Sequence, residues 1–253
     1  MKPGRSSLLL RVGIILHGSK IWISELSSIF LIAALLLAFF TLTFFIVLDE
    51  AKILSNDRRI LSLHESKQAS EKDLADLASK EKIIEAMRAV LGTRFSAQTY
   101  WHLAGLVHES SSTYGYDPLL LLAVIDVESR FSARAAGQYK SGEASGAFGL
   151  MQLKLETAQE IGRSLGIDVR TSADLLRPDV NVVIGAAYLM QLIAHFHSFK
   201  LGLLAYNQGP GVILEQLASQ QHLSSDYYHK VLRKYYRFRA ITDSLGIVKD
   251  SSK

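Results

Sequence analysis

From Ile29 to Leu48 the chain runs for twenty residues without a charge, and only Thr41 and Thr43 are polar. As an α-helix this run measures about 30 Å, the thickness of a bilayer's hydrocarbon core. A cleaved signal sequence is the competing reading. The run is longer than the apolar core of such a signal, and no small-x-small cleavage pattern precedes Asp49-Glu50. A retained transmembrane helix at 29–48 is therefore predicted. A buried core helix rarely goes so long without a polar position. Lys2, Arg5, Arg11 and Lys20 precede the segment, whereas Lys52, Arg58 and Arg59 after it are mixed with Asp49, Glu50 and Asp57. The positive-inside rule then makes 1–28 a cytoplasmic segment and puts the rest of the chain outside the membrane. The shorter apolar stretch Leu8 to Leu16, interrupted by Arg11 and Gly13, cannot span and fits a segment lying on the membrane face.

The pattern changes after Leu48. Asp49 to Leu91 has no Gly and no Pro and mixes charges of both signs with Ala, Leu and Ser. Ile53, Ile60 and Leu74 fall on one seven-residue track, and Leu63, Leu77, Ile84 and Leu91 on its partner. Lys67, Ser70 and Glu81 interrupt the seam. A long, mostly exposed helical stalk at 49–92 is predicted, ended by Gly92, with a seam that permits weak self-association.

From Thr93 to about Val248 the apolar period is helical throughout. Ser96-Ala97 opens a helix reaching Tyr114, and Asp117-Pro118 opens another with a capping acid and a proline at the first helical position. That helix carries Leu119 to Val127 and ends near Glu128-Ser129. Ala133 to Phe148, with Gly137, Gly142 and Gly146, reads as loop. Further helices are predicted at Leu153–Leu165, Asp179–His197, Leu201–Tyr206, Val212–Ser219 and Tyr227–Leu245. No strand of sandwich or barrel type is evident. The expected architecture is an all-α domain at 93–248, preceded by a transmembrane helix and a helical stalk.

Composition changes this picture little. Hydrophobic residues make up 49% of the 253, with the excess concentrated in the membrane segment. The absence of cysteine excludes a disulfide framework, a lipid-modified cysteine and thiolate zinc ligands. The net charge of +4 suits an anionic surface such as a cell wall, but does not by itself separate that from nucleic acid or lipid headgroups.

Glu128 is the candidate for chemistry. It ends an apolar helix, where low dielectric raises a carboxyl pKa and the helix C-terminus disfavours its negative charge. A carboxyl kept protonated near neutral pH is what cleavage of a glycosidic bond requires of its acid. Taken alone, Glu128 would read as an ordinary surface acid at a helix end. Its surroundings in the sequence change that balance. Tyr116 to Ser129 reads Tyr-Asp-Pro-Leu-Leu-Leu-Leu-Ala-Val-Ile-x-x-Glu-Ser. Gly146 to Gln152 reads Gly-Ala-x-Gly-Leu-Met-Gln, followed by Thr157-Ala158. Leu175 to Leu189 carries Pro178, Asn181, Gly185 and Tyr188. Ala205 to Gly211 reads Ala-Tyr-Asn-x-Gly-Pro-Gly, and Tyr227 precedes Val231-Leu232.

This ordered set, across roughly Ser96 to Tyr236, resembles the lytic transglycosylases with an SLT domain, a lysozyme-like, goose-type helical fold. The resemblance implies that the ligand is the glycan strand of peptidoglycan and that no cofactor is used. It implies that Glu128 protonates the bond between N-acetylmuramic acid and N-acetylglucosamine, and then takes the proton of the muramyl 6-hydroxyl as a 1,6-anhydro ring closes. Gln152 and Met151 would line the groove, Tyr206 and Asn207 would position acid and sugar, and Tyr227 would lean over the acid. The implied location is a bacterial inner membrane, crossed once, with the domain in the periplasm. The sequence departs from the family pattern in a longer loop at Gln138 to Ala144. Glu143 stands where a serine is usual, with Ser145 as the substitute binding residue, and Leu155 stands where a proline is usual.

Two other readings follow from the same residues. A goose-type-lysozyme-like hydrolase would need a second acid such as Glu143, and a non-catalytic peptidoglycan-binding module would need none. Asp126, two residues from Glu128, is expected on another, solvated face. No metal is expected: His195 and His197 face different ways, and His108-Glu109 lacks a second histidine at zinc-protease spacing. The cluster Lys230, Arg233, Lys234, Arg237 and Arg239, interleaved with Tyr235, Tyr236 and Phe238, reads as the basic outer face of a closing helix, with no nucleic acid as partner.

Overall fold

The computed structural model describes the backbone of residues 7–139 and 141–250 and the side chains of 28–139 and 141–244. Lys2 and Arg5, and the side chains of Leu8 to Leu16, Arg11 and Lys20, lie outside the described residues. The chain divides into two units, Met1–Glu71 and Lys72–Lys253. The helix α1, Ser7–Leu91, contributes to both.

In the first unit, the apolar side chains from Ile29 to Leu48 are exposed almost throughout. A helix that is apolar all round and uncovered by protein matches a lipid environment rather than water. Its two polar side chains are satisfied within the helix: the Thr41 hydroxyl donates to the Ala38 carbonyl at 2.9 Å and that of Thr43 to the Phe39 carbonyl at 3.0 Å. Ile53, Ile60 and Leu63 are likewise exposed.

The second unit begins within α1. Ile83, Ile84, Ala86 and Met87 belong to its core, so the stalk does not stay exposed to residue 92 as predicted. The seam positions nearest its C-terminal end are spent on the domain instead. Five further helices frame the core: α2 (Ala97–Tyr114), α3 (Pro118–Ser129), α5 (Pro178–Phe196), α6 (Phe199–Gln208) and α8 (Asp226–Asp250). Two more, α4 (Leu155–Leu165) and α7 (Pro210–Ala218), belong to the same unit.

The start signals act as expected. Ser96 accepts from the Thr99 amide at 3.2 Å, and Asp117 accepts from that of Leu119 at 2.9 Å with Pro118 at the first helical position. Every residue from Leu119 to Asp126 is buried, which makes α3 the central helix. Each large aliphatic side chain there contributes roughly 2 kcal/mol by leaving water. The helix α5 is also long and apolar enough to cross a membrane. Val182, Ala186, Leu189 and Leu192 nonetheless place it in the domain core.

Two further expectations are corrected. The segment Ala133 to Phe148, read as loop, holds two strands, β1 (Ala136–Gln138) and β2 (Ala144–Phe148), and the first two residues of the helix expected at Leu153–Leu165 form a third, β3 (Leu153–Lys154), in one antiparallel sheet of order β1-β2-β3. Strands this short offer no readable alternation, and their glycines dominate the sequence signal. Asp126 is not solvated. It is 6% exposed and its carboxylate meets Lys234 Nζ of α8 at 2.8 Å.

Candidate active site

Glu128 occupies the last turn of α3, one residue before the helix ends. The chain leaves that helix through two consecutive left-handed residues, Arg130 at φ 51° and Phe131 at φ 62°. Neither is a glycine, and each costs the fold about 1 kcal/mol. Phe131 recovers this by burial at 2% exposure, with its ring edge-on to Phe238 of α8. This turn ends the helix directly beyond the acid.

Two influences act on the Glu128 carboxyl, in opposite directions. Burial disfavours the charged form, and the Tyr227 hydroxyl of α8 donates to Oε1 at 2.5 Å, which favours it. Burial is the larger, and the pKa is raised from 4.5 to about 7. Tyr227 is held well above the ordinary tyrosine value by its own burial and by the nearby acid. It therefore stays a hydroxyl donor at any physiological pH.

The second wall is built by the Gly146–Gln152 turn, and buried Asn181 of α5 holds it. The Asn181 carbonyl accepts from the Met151 amide at 2.7 Å, and its amide donates to the Phe148 and Leu175 carbonyls, both at 2.9 Å. One side chain thus satisfies three backbone groups, two of the turn and one at Leu175, that would otherwise be left unpaired. The fit leaves no room at Gly149, which sits at φ 82°. A Cβ there would lie 2.1 Å from the Leu175 carbonyl oxygen and 2.4 Å from the Asn181 amide nitrogen. The Tyr206 hydroxyl of α6 donates to the Met151 carbonyl at 2.7 Å, which ties α6 to the same turn. Gln152, left-handed at φ 50°, turns its amide back onto the Gly149 carbonyl at 2.8 Å.

Between these walls lies a groove of about 820 Å³. Of the residues expected to line it, Glu128, Ser145, Gln152, Tyr206 and Asn207 do so. Met151 does not. It is fully buried, and a Cβ on Gly185 of α5 would meet its sulfur at 2.5 Å, so its side chain belongs to the core. Tyr227 acts from behind, through its bond to the acid, and does not line the groove. Glu143 is exposed and outside the lining, its carboxylate accepting from Ser141 at 3.5 Å. Among the described residues lining the groove, Glu128 is the sole acid.

The sequence reading missed three things here. Tyr188 lines the groove, its ring 5.5 Å from that of Tyr206, although only its place in the motif was evident. Arg130 and Lys154 line it too. The Asp126–Lys234 pair joins α3 to α8. The spacing of Tyr227 and Lys234, seven apart on one helix face, was the available signal for that pair.

Comparison with known proteins agrees with this geometry. Residues 105–229 match the family described as Transglycosylase SLT domain. The membrane-bound lytic murein transglycosylase C of Photorhabdus laumondii is 29% identical over 136 residues, covering 50% of this chain and 36% of that protein. The chain thus spans about a third of the length of this curated relative. Two solved structures are similar in part. An inactive mutant of the lytic transglycosylase Slt from Pseudomonas aeruginosa has a TM-score of 0.40 and 26% identity, over 60% of this chain and 23% of that one. The 70 kDa soluble lytic transglycosylase of Escherichia coli has a TM-score of 0.45 and 21% identity, over 66% and 29%. Residues 105–229 of the chain are therefore similar to the transglycosylase SLT domain family.

Proposed function

We propose that this chain is a membrane-anchored lytic transglycosylase that cleaves the β-1,4 bond between N-acetylmuramic acid and N-acetylglucosamine in peptidoglycan without consuming water. The observation that carries the reading is a single acid in the groove, held at a pKa of about 7 by burial. Near neutral pH a large fraction of Glu128 is protonated and ready to donate to the glycosidic oxygen. As the bond from that oxygen to C1 breaks, the carboxylate left behind stabilises the cationic carbon. The muramyl 6-hydroxyl then attacks C1 and gives its proton to Glu128. The acid is regenerated, and a 1,6-anhydromuramyl end is formed.

Hydrolysis by the two-carboxylate scheme needs a second acid to activate water or to form the covalent intermediate. Glu143 is the sequence's candidate for that part, and its position outside the groove disfavours it. Tyr227 holds the acid's orientation, and Tyr206 fixes the opposing turn. Ser145, Gln152 and Asn207 offer polar groups to the sugar. The apolar helix at 29–48 is the anchor. With the basic residues ahead of it facing the cytoplasm, the domain would lie in the periplasm of a bacterial inner membrane.

The test is a digest of purified sacculi by the full-length protein in detergent, with products resolved by mass. The expected products end in anhydromuramic acid, one water lighter than a hydrolysed end, and Glu128→Gln releases none. Reducing muramic ends would point to a hydrolase. A wild-type protein that binds sacculi and releases nothing would point to a binding module.

A further inference from the structure

The groove's charge has a feature the reaction does not use. Arg130, at the turn that ends α3, and Lys154, on β3, both line it and both are exposed. Neither forms an ion pair among the described residues. The other charged residue of the lining is Glu128, which is only about half ionised near pH 7. At working pH the described lining therefore carries two cations against one partly protonated acid, a net positive charge. Burial and Tyr227 set the Glu128 pKa, with no lowering by either cation. A cation close to the acid would stabilise its carboxylate and pull the pKa down. These two charges are thus available to a ligand without disarming the acid.

We infer that Arg130 and Lys154 form a carboxylate-binding subsite that makes the groove prefer anionic glycan strands over neutral ones. This rests on the proposed function and deepens it. A bare N-acetylglucosamine polymer carries no charge. Muramyl-containing strands carry carboxylates from one of two sources: the acidic residues of an attached stem peptide, or the lactyl group itself once that peptide has been removed. Arg130 offers a planar fork suited to a carboxylate, and Lys154 a point charge that tolerates varied geometry. Both sit in a concave surface of net positive charge, which concentrates anions and raises their encounter rate.

The experiment uses the full-length Glu128→Gln protein in detergent, so that strands bind without being cut. Three probes are compared at low salt: chitohexaose, which is neutral; glycan strands stripped of peptide by an amidase; and strands bearing stem peptides. Arg130→Gln and Lys154→Gln, singly and combined, are added to this background. The combined change should weaken the muramyl strands roughly tenfold, as two partly exposed ion pairs allow, and leave chitohexaose unchanged. Raising the salt should erase the difference between parent and variant. Arg130→Lys with Lys154→Arg should restore most of the affinity.

Loss confined to stripped strands assigns the lactyl carboxylate, loss confined to stem-bearing strands assigns the peptide, and loss for both shows that either serves. Equal weakening of chitohexaose, or no weakening of either muramyl strand, overturns the subsite. A parent protein that binds none of the muramyl strands would instead overturn the functional reading on which the subsite stands.

Discussion

Replacing Glu128 with glutamine removes the one titration that the site geometry makes expensive, so the fold itself should report on the acid. The carboxyl is moved from its ordinary 4.5 to about 7 because folding buries it. Between these values the folded state holds a proton that the unfolded chain has released. Stability therefore falls as pH rises through this window. The penalty is absent below 4.5, grows by 1.36 kcal/mol per pH unit, and levels off above 7 at about 3 kcal/mol. Glutamine keeps the shape and the acceptor for Tyr227 but has no proton to lose.

The Glu128→Gln protein should thus gain on the wild type between pH 4 and pH 8, by about 3 kcal/mol or on the order of 10 °C in melting temperature. Any pH-independent cost of the new amide cancels in that difference. The assay is thermal or urea unfolding of both full-length proteins in the same detergent, followed by the aromatic signals of the domain. Parallel pH profiles for the two proteins would refute the reasoning. A wild type that gains relative to the variant at high pH would reverse its sign.

Other perturbations act on the same frame. Tyr227→Phe removes the hydrogen bond that favours the carboxylate, so the alkaline limb of the activity profile should move to higher pH while the rate falls. A profile that does not move would separate Tyr227 from the acid. Asn181→Leu leaves an amide and two carbonyls unpaired at the Phe148–Met151 turn and at Leu175, each worth about 1–3 kcal/mol, so it should destabilise the domain by several kcal/mol. A loss under 1 kcal/mol in urea unfolding would contradict the role given to that side chain. Lys234→Met strands the Asp126 carboxylate in a buried position. Because Lys234 is itself 36% exposed, the cost should be about 2 kcal/mol rather than the full value of a buried pair. Converting Asp126 to Asn in the same protein should recover most of it.

The helices were legible because their caps and apolar periods agree. Asp117-Pro118 opens α3, and Leu119 to Ile125 leaves no polar face, so a central buried helix ending in an acid followed directly from the residues. The small sheet was not legible, since strands of two to five residues around Gly137 and Gly146 carry no usable alternation. Met151 misled for a different reason. Motif order placed it beside the groove, but a side chain's direction at a turn depends on left-handed residues such as Gln152 and on the gap left by Gly185 on another helix. Asp126 misled because helical phase assigns it a face without saying what covers that face. Lys234 of α8, more than a hundred residues later, does so. The end of the stalk followed the same logic: Ile84 reads as a seam residue, and only tertiary packing decides that the seam is filled by the domain.

The central claim is that one carboxyl completes the cleavage with a hydroxyl of the substrate in place of water. Digestion of sacculi in water enriched in heavy oxygen tests it most directly, by mass analysis of the new glycan ends. The account predicts anhydromuramyl ends carrying none of the label, and no new ends from the Glu128→Gln protein. Heavy oxygen at reducing muramic ends, formed in proportion to cleavage, would contradict it.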